Sequence, residues 1–165
     1  MRKQKGFSLI ELLIVVAIIL IIAAIAIPNL LRSRIAANEA SAVGSLRTIN
    51  TSEVTYASTF PSSGFSVGLA QLGPGAGACA AATSATACLL DNVLGCSTAT
   101  TSGATCNKSG YQFAVSTSGT APVFYQTNAN PISLQTGTRY FYSDASGVIR
   151  YNATAAAASA DAPLQ

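Results

Sequence analysis

The chain has no histidine and no tryptophan, and its single methionine is the first residue. Without histidine, the commonest general base and the commonest metal ligand are both missing. Charge is scarce as well: Asp, Glu, Lys and Arg together make up 9% of 165 residues. Asp91, Asp144 and Asp161 lie too far apart in sequence to suggest a carboxylate pair. There is no G-x-S-x-G. The one glycine-rich stretch, Gly73-Pro74-Gly75-Ala76-Gly77, lacks the Lys and Ser/Thr of a phosphate loop and reads as a flexible turn. The composition points away from an enzyme, and neither a cofactor nor a metal site is expected.

What charge there is lies unevenly. Arg2, Lys3 and Lys5 carry three of the nine basic residues, and beyond residue 6 six basic residues balance six acidic ones. The formal charge of +3 is therefore a property of the first few residues. The remaining Arg32, Arg34, Arg47, Lys108, Arg139 and Arg150 are scattered, so no nucleic-acid site is indicated.

Four cysteines, Cys79, Cys88, Cys96 and Cys106, follow at intervals of nine, eight and ten positions. Zinc sites use closer C-x2-4-C pairs, whereas an even, clustered count suits disulfides in an oxidising compartment. The pairing Cys79–Cys88 with Cys96–Cys106 closes two short loops and is favoured. The nested pairing Cys79–Cys106 with Cys88–Cys96 stays open.

The apolar content is concentrated near the start. Residues 12–27 contain no charged or hydrogen-bonding side chain. As a helix, residues 7–27 would extend about 31 Å, matching a bilayer core of about 30 Å. The cations ahead of this run place the N-terminus on the cytoplasmic side. Inside it stands one carboxylate, Glu11, which a membrane helix accommodates only at a cost. Pro28 follows, lacking an N–H and clashing with the carbonyl of Ala24, so a kink is expected there.

The stretch Lys5-Gly6-Phe7-Ser8-Leu9-Ile10-Glu11-Leu12-Leu13-Ile14-Val15-Val16 resembles the processing signal of type IV pilins, type IVa-like major pilins in particular, and of their pseudopilin relatives. The resemblance implies that a prepilin peptidase cuts between Gly6 and Phe7 and that Phe7 is then N-methylated. It makes Glu11 the fifth mature residue, the family's assembly glutamate, and matches Pro28 to a helix-kinking proline. A later family proline is replaced here by Thr48, which puts a second kink in doubt. The residue chemistry is compatible. Cleavage would expose an ammonium on Phe7, and a neighbouring subunit's Phe7 could neutralise a buried Glu11 and set the axial stagger.

Helical spacing of Ile35, Val43, Leu46 and Ile49, with Asn38, Glu39, Ser41, Ser45 and Arg47 on the other side, extends one helix over residues 7–59. Pro61-Ser62-Ser63-Gly64 ends it. Residues 60–110 form a long αβ-loop held by the cysteines. Alternation then marks four strands over residues 111–117, 123–127, 138–143 and 148–151, with turns at 128–131 and 144–147. The tail, 153–165, reads as loose surface or a subunit-contact strip. The fold expected is α+β: a long N-terminal helix, transmembrane in its first half, packed on a four-stranded antiparallel sheet. Asn50, Asn107 and Asn152 each begin a glycosylation sequon, an unremarkable number in so Ser/Thr-rich a chain.

The function implied by the resemblance is that of a major pilin. The chain would wait in the inner membrane and then polymerise with copies of itself into a surface filament for adhesion, twitching motility or DNA uptake. A prepilin peptidase and an assembly machine with a cytoplasmic motor would be its partners. A type II secretion pseudopilin and a membrane-anchored binding domain are the alternatives.

Overall fold

A computed structural model describes residues 7–75, 77, 79, 81–118 and 122–164. The chain divides into two compact units, Met1–Arg34 and Ile35–Gln165. One helix, α1 (Leu9–Thr59), runs through both. It continues past Pro28 and Gly44, so neither residue breaks it.

In the second unit the helix buries Glu39, Ala42, Ser45, Leu46, Ile49, Ser52, Glu53 and Tyr56. Steps of three and four residues along 39, 42, 46, 49, 53 and 56 define a single stripe. Ala42 and the serines let the backbone approach, and the large residues fill the space beyond. Glu39 and Ser45, expected on the polar side, lie within this buried stripe. Helical spacing puts Glu39 one turn before Ala42, and Arg139 makes its burial tolerable.

Five strands form the sheet: β1 (Thr105–Lys108), β2 (Tyr111–Thr117), β3 (Tyr125–Pro131), β4 (Tyr140–Asp144) and β5 (Arg150–Asn152). They lie in the order β1-β2-β3-β4-β5, each antiparallel to the next. The sheet thus has one strand more than expected. β1 comes from the cysteine region, and β3 includes Asn128-Ala129-Asn130-Pro131, read above as a turn. Ser109 and Gly110 join β1 to β2 with φ of 50° and 76°. Two positive φ values are what a two-residue type I′ hairpin requires.

Alternation sends Tyr111, Phe113 and Val115 of β2 inward, where they meet Ala42, Leu46, Ile49 and Tyr56. Tyr125, Ala129 and Phe141 join them. The long connection is not held by its cysteines alone. A short helix, α2 (Leu69–Leu72), puts Leu69 and Leu72 into the core, and Leu90 and Leu94 follow. Main-chain bonds run from Ala70 N to Ala99 O, and from both Leu89 N and Leu90 N to Leu72 O. Gly73 lies directly against Gly95, an approach that a side chain on either would block.

The tail is likewise fixed. Tyr151 N donates to Ala162 O (3.1 Å) and Leu164 N to Ile149 O (2.7 Å), while Arg150 pairs with Pro163. These bonds line the open side of β5.

Candidate assembly site

The first unit starts with Phe7 and Ser8, which precede the helix. The Ser8 N–H donates to Glu11 Oε2 at 2.9 Å, and Leu12 N donates to Ser8 O at 3.2 Å. Ser8-x-x-Glu11 is the sequence of a capping box, and this is the half in which the acid reaches back to the N-cap amide. In the single chain, then, Glu11 already has a job: it satisfies a donor that the first helical turn leaves over. That role was legible in the Ser-x-x-Glu spacing and was missed.

Around Glu11 nearly everything is apolar and uncovered. Phe7 is 80% exposed, and every large apolar side chain from Leu9 to Leu31 is exposed too. The most apolar eighteen-residue window of the helix has a mean hydropathy of 3.3, with none of it buried. A continuous apolar surface of this length needs lipid or other helices around it. Phe7 and Glu11 stand four positions apart at one end of this surface, and Pro28 lies inside it. Gly6 and the rest of the leader, residues 1–6, lie outside the described residues.

Residues 1–27 match the family model described as the prokaryotic N-terminal methylation motif. The chain is also 67% identical over 39 residues to the type IV wide pilus major component PilA4 of Thermus thermophilus, a match covering 24% of this chain and 30% of that protein. In this segment the chain is similar to the type IV pilins.

A second relative, the type IV major pilin protein PilA of Myxococcus xanthus, is 43% identical over 54 residues, covering 33% of this chain and 24% of that protein. The matches thus span less than a third of either relative's length. No solved structure matches the chain. The pilin signal and the apolar helix fit a membrane-anchored precursor and a pilus filament.

Within the second unit, Cys79 is bonded to Cys88 and Cys96 to Cys106. Among the described residues, no group of three His, Cys, Asp or Glu side chains comes together. Asn50 and Asn152 of the three sequons are occupied. Asn50 donates to Ser143 Oγ and accepts from Tyr125, and Asn152 Oδ1 accepts from Thr154 and Ala155. Asn107 is exposed on β1.

Two buried acids escaped sequence reading. Glu39 accepts from the N–H and hydroxyl of Thr138 and from Nε of Arg139 at 2.7 Å. Arg139 in turn lies over the rings of Phe141 and Tyr151. Burial would raise the Glu39 pKa, but the Thr138 and Arg139 bonds outweigh it and hold the carboxyl below its usual range. Fourteen residues on, Glu53 grips Ser66 in the same manner, through its N–H (2.9 Å) and hydroxyl (2.6 Å). Glu53 is fully buried and has no cation within ion-pair distance among the described residues. Burial pushes it up to about 7 despite the Ser66 bonds. No spacing rule links residue 39 to 138 or 53 to 66, so only the fold brings these pairs together.

Proposed function

We propose that the chain is the structural subunit of a type IV pilus, cut between Gly6 and Phe7, N-methylated on Phe7 and polymerised through its N-terminal helix. The observation that carries this reading is the exposed apolar first half of α1, which bears one carboxylate, Glu11, four residues after Phe7 within the matched signal. Before assembly, lipid covers that surface, with the N-terminus on the cytoplasmic side of the inner membrane. In the filament, neighbouring helices replace the lipid. A prepilin peptidase and an assembly machine with a cytoplasmic motor supply the processing and the extraction.

Glu11 drives the register. Once its helix leaves the headgroup region, a lone carboxylate among apolar side chains needs a cation. A neighbour's N-terminal amine on Phe7 supplies one, and the Ser8 capping bond is exchanged for or shared with it. The Pro28 ring leaves the Ala24 carbonyl without a donor, so the helix bends locally where it leaves the bilayer. Adhesion, twitching motility and DNA uptake are the uses open to such a fibre.

Surface fibres sheared from cells and analysed by microscopy and mass spectrometry test the proposal. Long filaments built of a chain starting with N-methylated Phe7 are expected. A mature chain that starts elsewhere, or fibres that lack it, would overturn the reading.

A further inference from the structure

The sheet face turned away from the helix carries a feature separate from the N-terminal signal. A cleft of about 520 Å³ opens there, between the end of β2, the start of β3 and the β4–β5 turn. The volume falls in the range of small-molecule sites, about 300–1,000 Å³. Ser116 pairs across the ladder with Gln126, and Gln126 with Asp144. Residues directly opposite in a sheet share a face, so the three polar side chains form a row. At a strand separation of about 4.8 Å, that row spans about 10 Å.

Each member contributes differently. Asp144 is held in place: its Oδ1 accepts from Ser146 N–H at 2.9 Å and its Oδ2 from the Tyr142 hydroxyl at 3.3 Å. Hydrogen bonding from Ser146 keeps its pKa below the usual range, against the effect of burial, so it is a fixed, charged acceptor at neutral pH. Gln126 is exposed, and its side chain makes no hydrogen bond among the described residues, leaving an amide donor and acceptor available. Thr117 also lines the cleft, and its Oγ1 is buried without a partner among the described residues.

Beside this row stands Phe124, 73% exposed. An exposed flat ring next to converging hydroxyl, amide and carboxylate groups suits a ligand with one apolar face and a rim of hydroxyls. No lysine or arginine lines the cleft among the described residues, and Asp144 repels anions, which disfavours phosphate, sulfate and nucleotide ligands.

We propose that this cleft binds a neutral saccharide of one or two rings, with a C–H face laid on Phe124 and its hydroxyls on Ser116, Gln126 and Asp144. The site is open, so binding is weak for one subunit. In a filament the same cleft would recur on every copy, and multivalent engagement would raise the overall avidity.

The test is saturation-transfer NMR on the full chain in micelles of a sugar-free detergent, with lactose, cellobiose and N,N′-diacetylchitobiose as probes. At least one probe is expected to receive saturation at its ring C–H protons below about 10 mM, the weak end of specific affinity. Phe124→Ala and Gln126→Ala, both at exposed positions, are each expected to weaken binding about tenfold without changing the thermal midpoint of the head. Absence of transfer from all three probes would overturn the proposal. So would undiminished binding in Phe124→Ala, or stronger binding of sulfated lactose than of lactose. None of these outcomes bears on the N-terminal processing reading.

Discussion

Glu11 and Glu53 are acids in opposite situations, and each yields a measurement. Glu11 is exposed in the single chain, where its carboxylate caps the Ser8 N–H, so removing its charge should matter little until subunits assemble. Glu11→Gln retains a capping side chain while removing the carboxylate that would meet a neighbour's amine. The expected result is precursor at normal levels in the membrane but far fewer sheared filaments; unchanged yield and subunit order would eliminate the charge-register idea. Glu53 affects the head itself. Its folded pKa of about 7 lies above the ordinary 4.5, so the native state holds a proton that the unfolded chain gives up. The stability it contributes is full below pH ~4.5 and is lost as pH rises toward 7. Glu39, lowered rather than raised, works the other way, and its contribution fades only on acidification below the usual carboxylate range. Between pH 5 and 8 the Glu53 effect should dominate, making the head less stable at pH 8 by on the order of 2–3 kcal/mol. Glu53→Gln should flatten that dependence in thermal unfolding of the full chain.

At the scale of elements, the β1–β2 hairpin carries the clearest conformational demand. Ser109 sits at φ 50° and shares a hydrogen bond of 3.0 Å with Ser41 on the helix. A β-branched residue fits the left-handed region poorly, so Ser109→Val should destabilise by about 1–2 kcal/mol. Ser109→Asn should be neutral or better, and urea unfolding of both variants would tell them apart. The same region shows where sequence pattern stops being informative. β2 was legible to the residue, because Tyr111, Phe113 and Val115 alternate with smaller or polar neighbours and a buried face enforces period two. β1 reads Thr-Cys-Asn-Lys, four residues of which one is buried, and nothing in so short a run signals a strand. β3 misled because Asn and Pro are turn formers. Its inward positions Tyr125, Thr127 and Ala129 are buried, and the ladder to β2 overrides the local preference of Asn128 and Asn130. At the N-terminus the reverse holds. A long, compositionally odd motif is informative by itself, since lipid and helix packing act on the segment directly.

For the whole molecule, the sheet has two outer strands, and they are held differently. The tail lies along β5 through the Tyr151 and Leu164 amides, and Ala157 O accepts from Asn128. Deleting residues 153–165 should therefore leave the core intact but sharply increase hydrogen exchange at Tyr151, the β5 amide that the tail protects. On the other flank, Lys108 of β1 pairs with Asp91 at 2.8 Å, and the Cys96–Cys106 bond ties the preceding loop to the strand.

The β5 flank bears on crowding. In the proposed filament, or side by side in a bilayer, heads would reach local concentrations at which any open strand edge templates unwanted sheet growth between chains. A continuous intermolecular sheet needs two open edges per copy, and the tail along β5 takes one of them. Loss of the tail would therefore do more than expose one amide. It would hand each head a further edge able to pair with its neighbour, turning a local truncation into a change of colloidal behaviour.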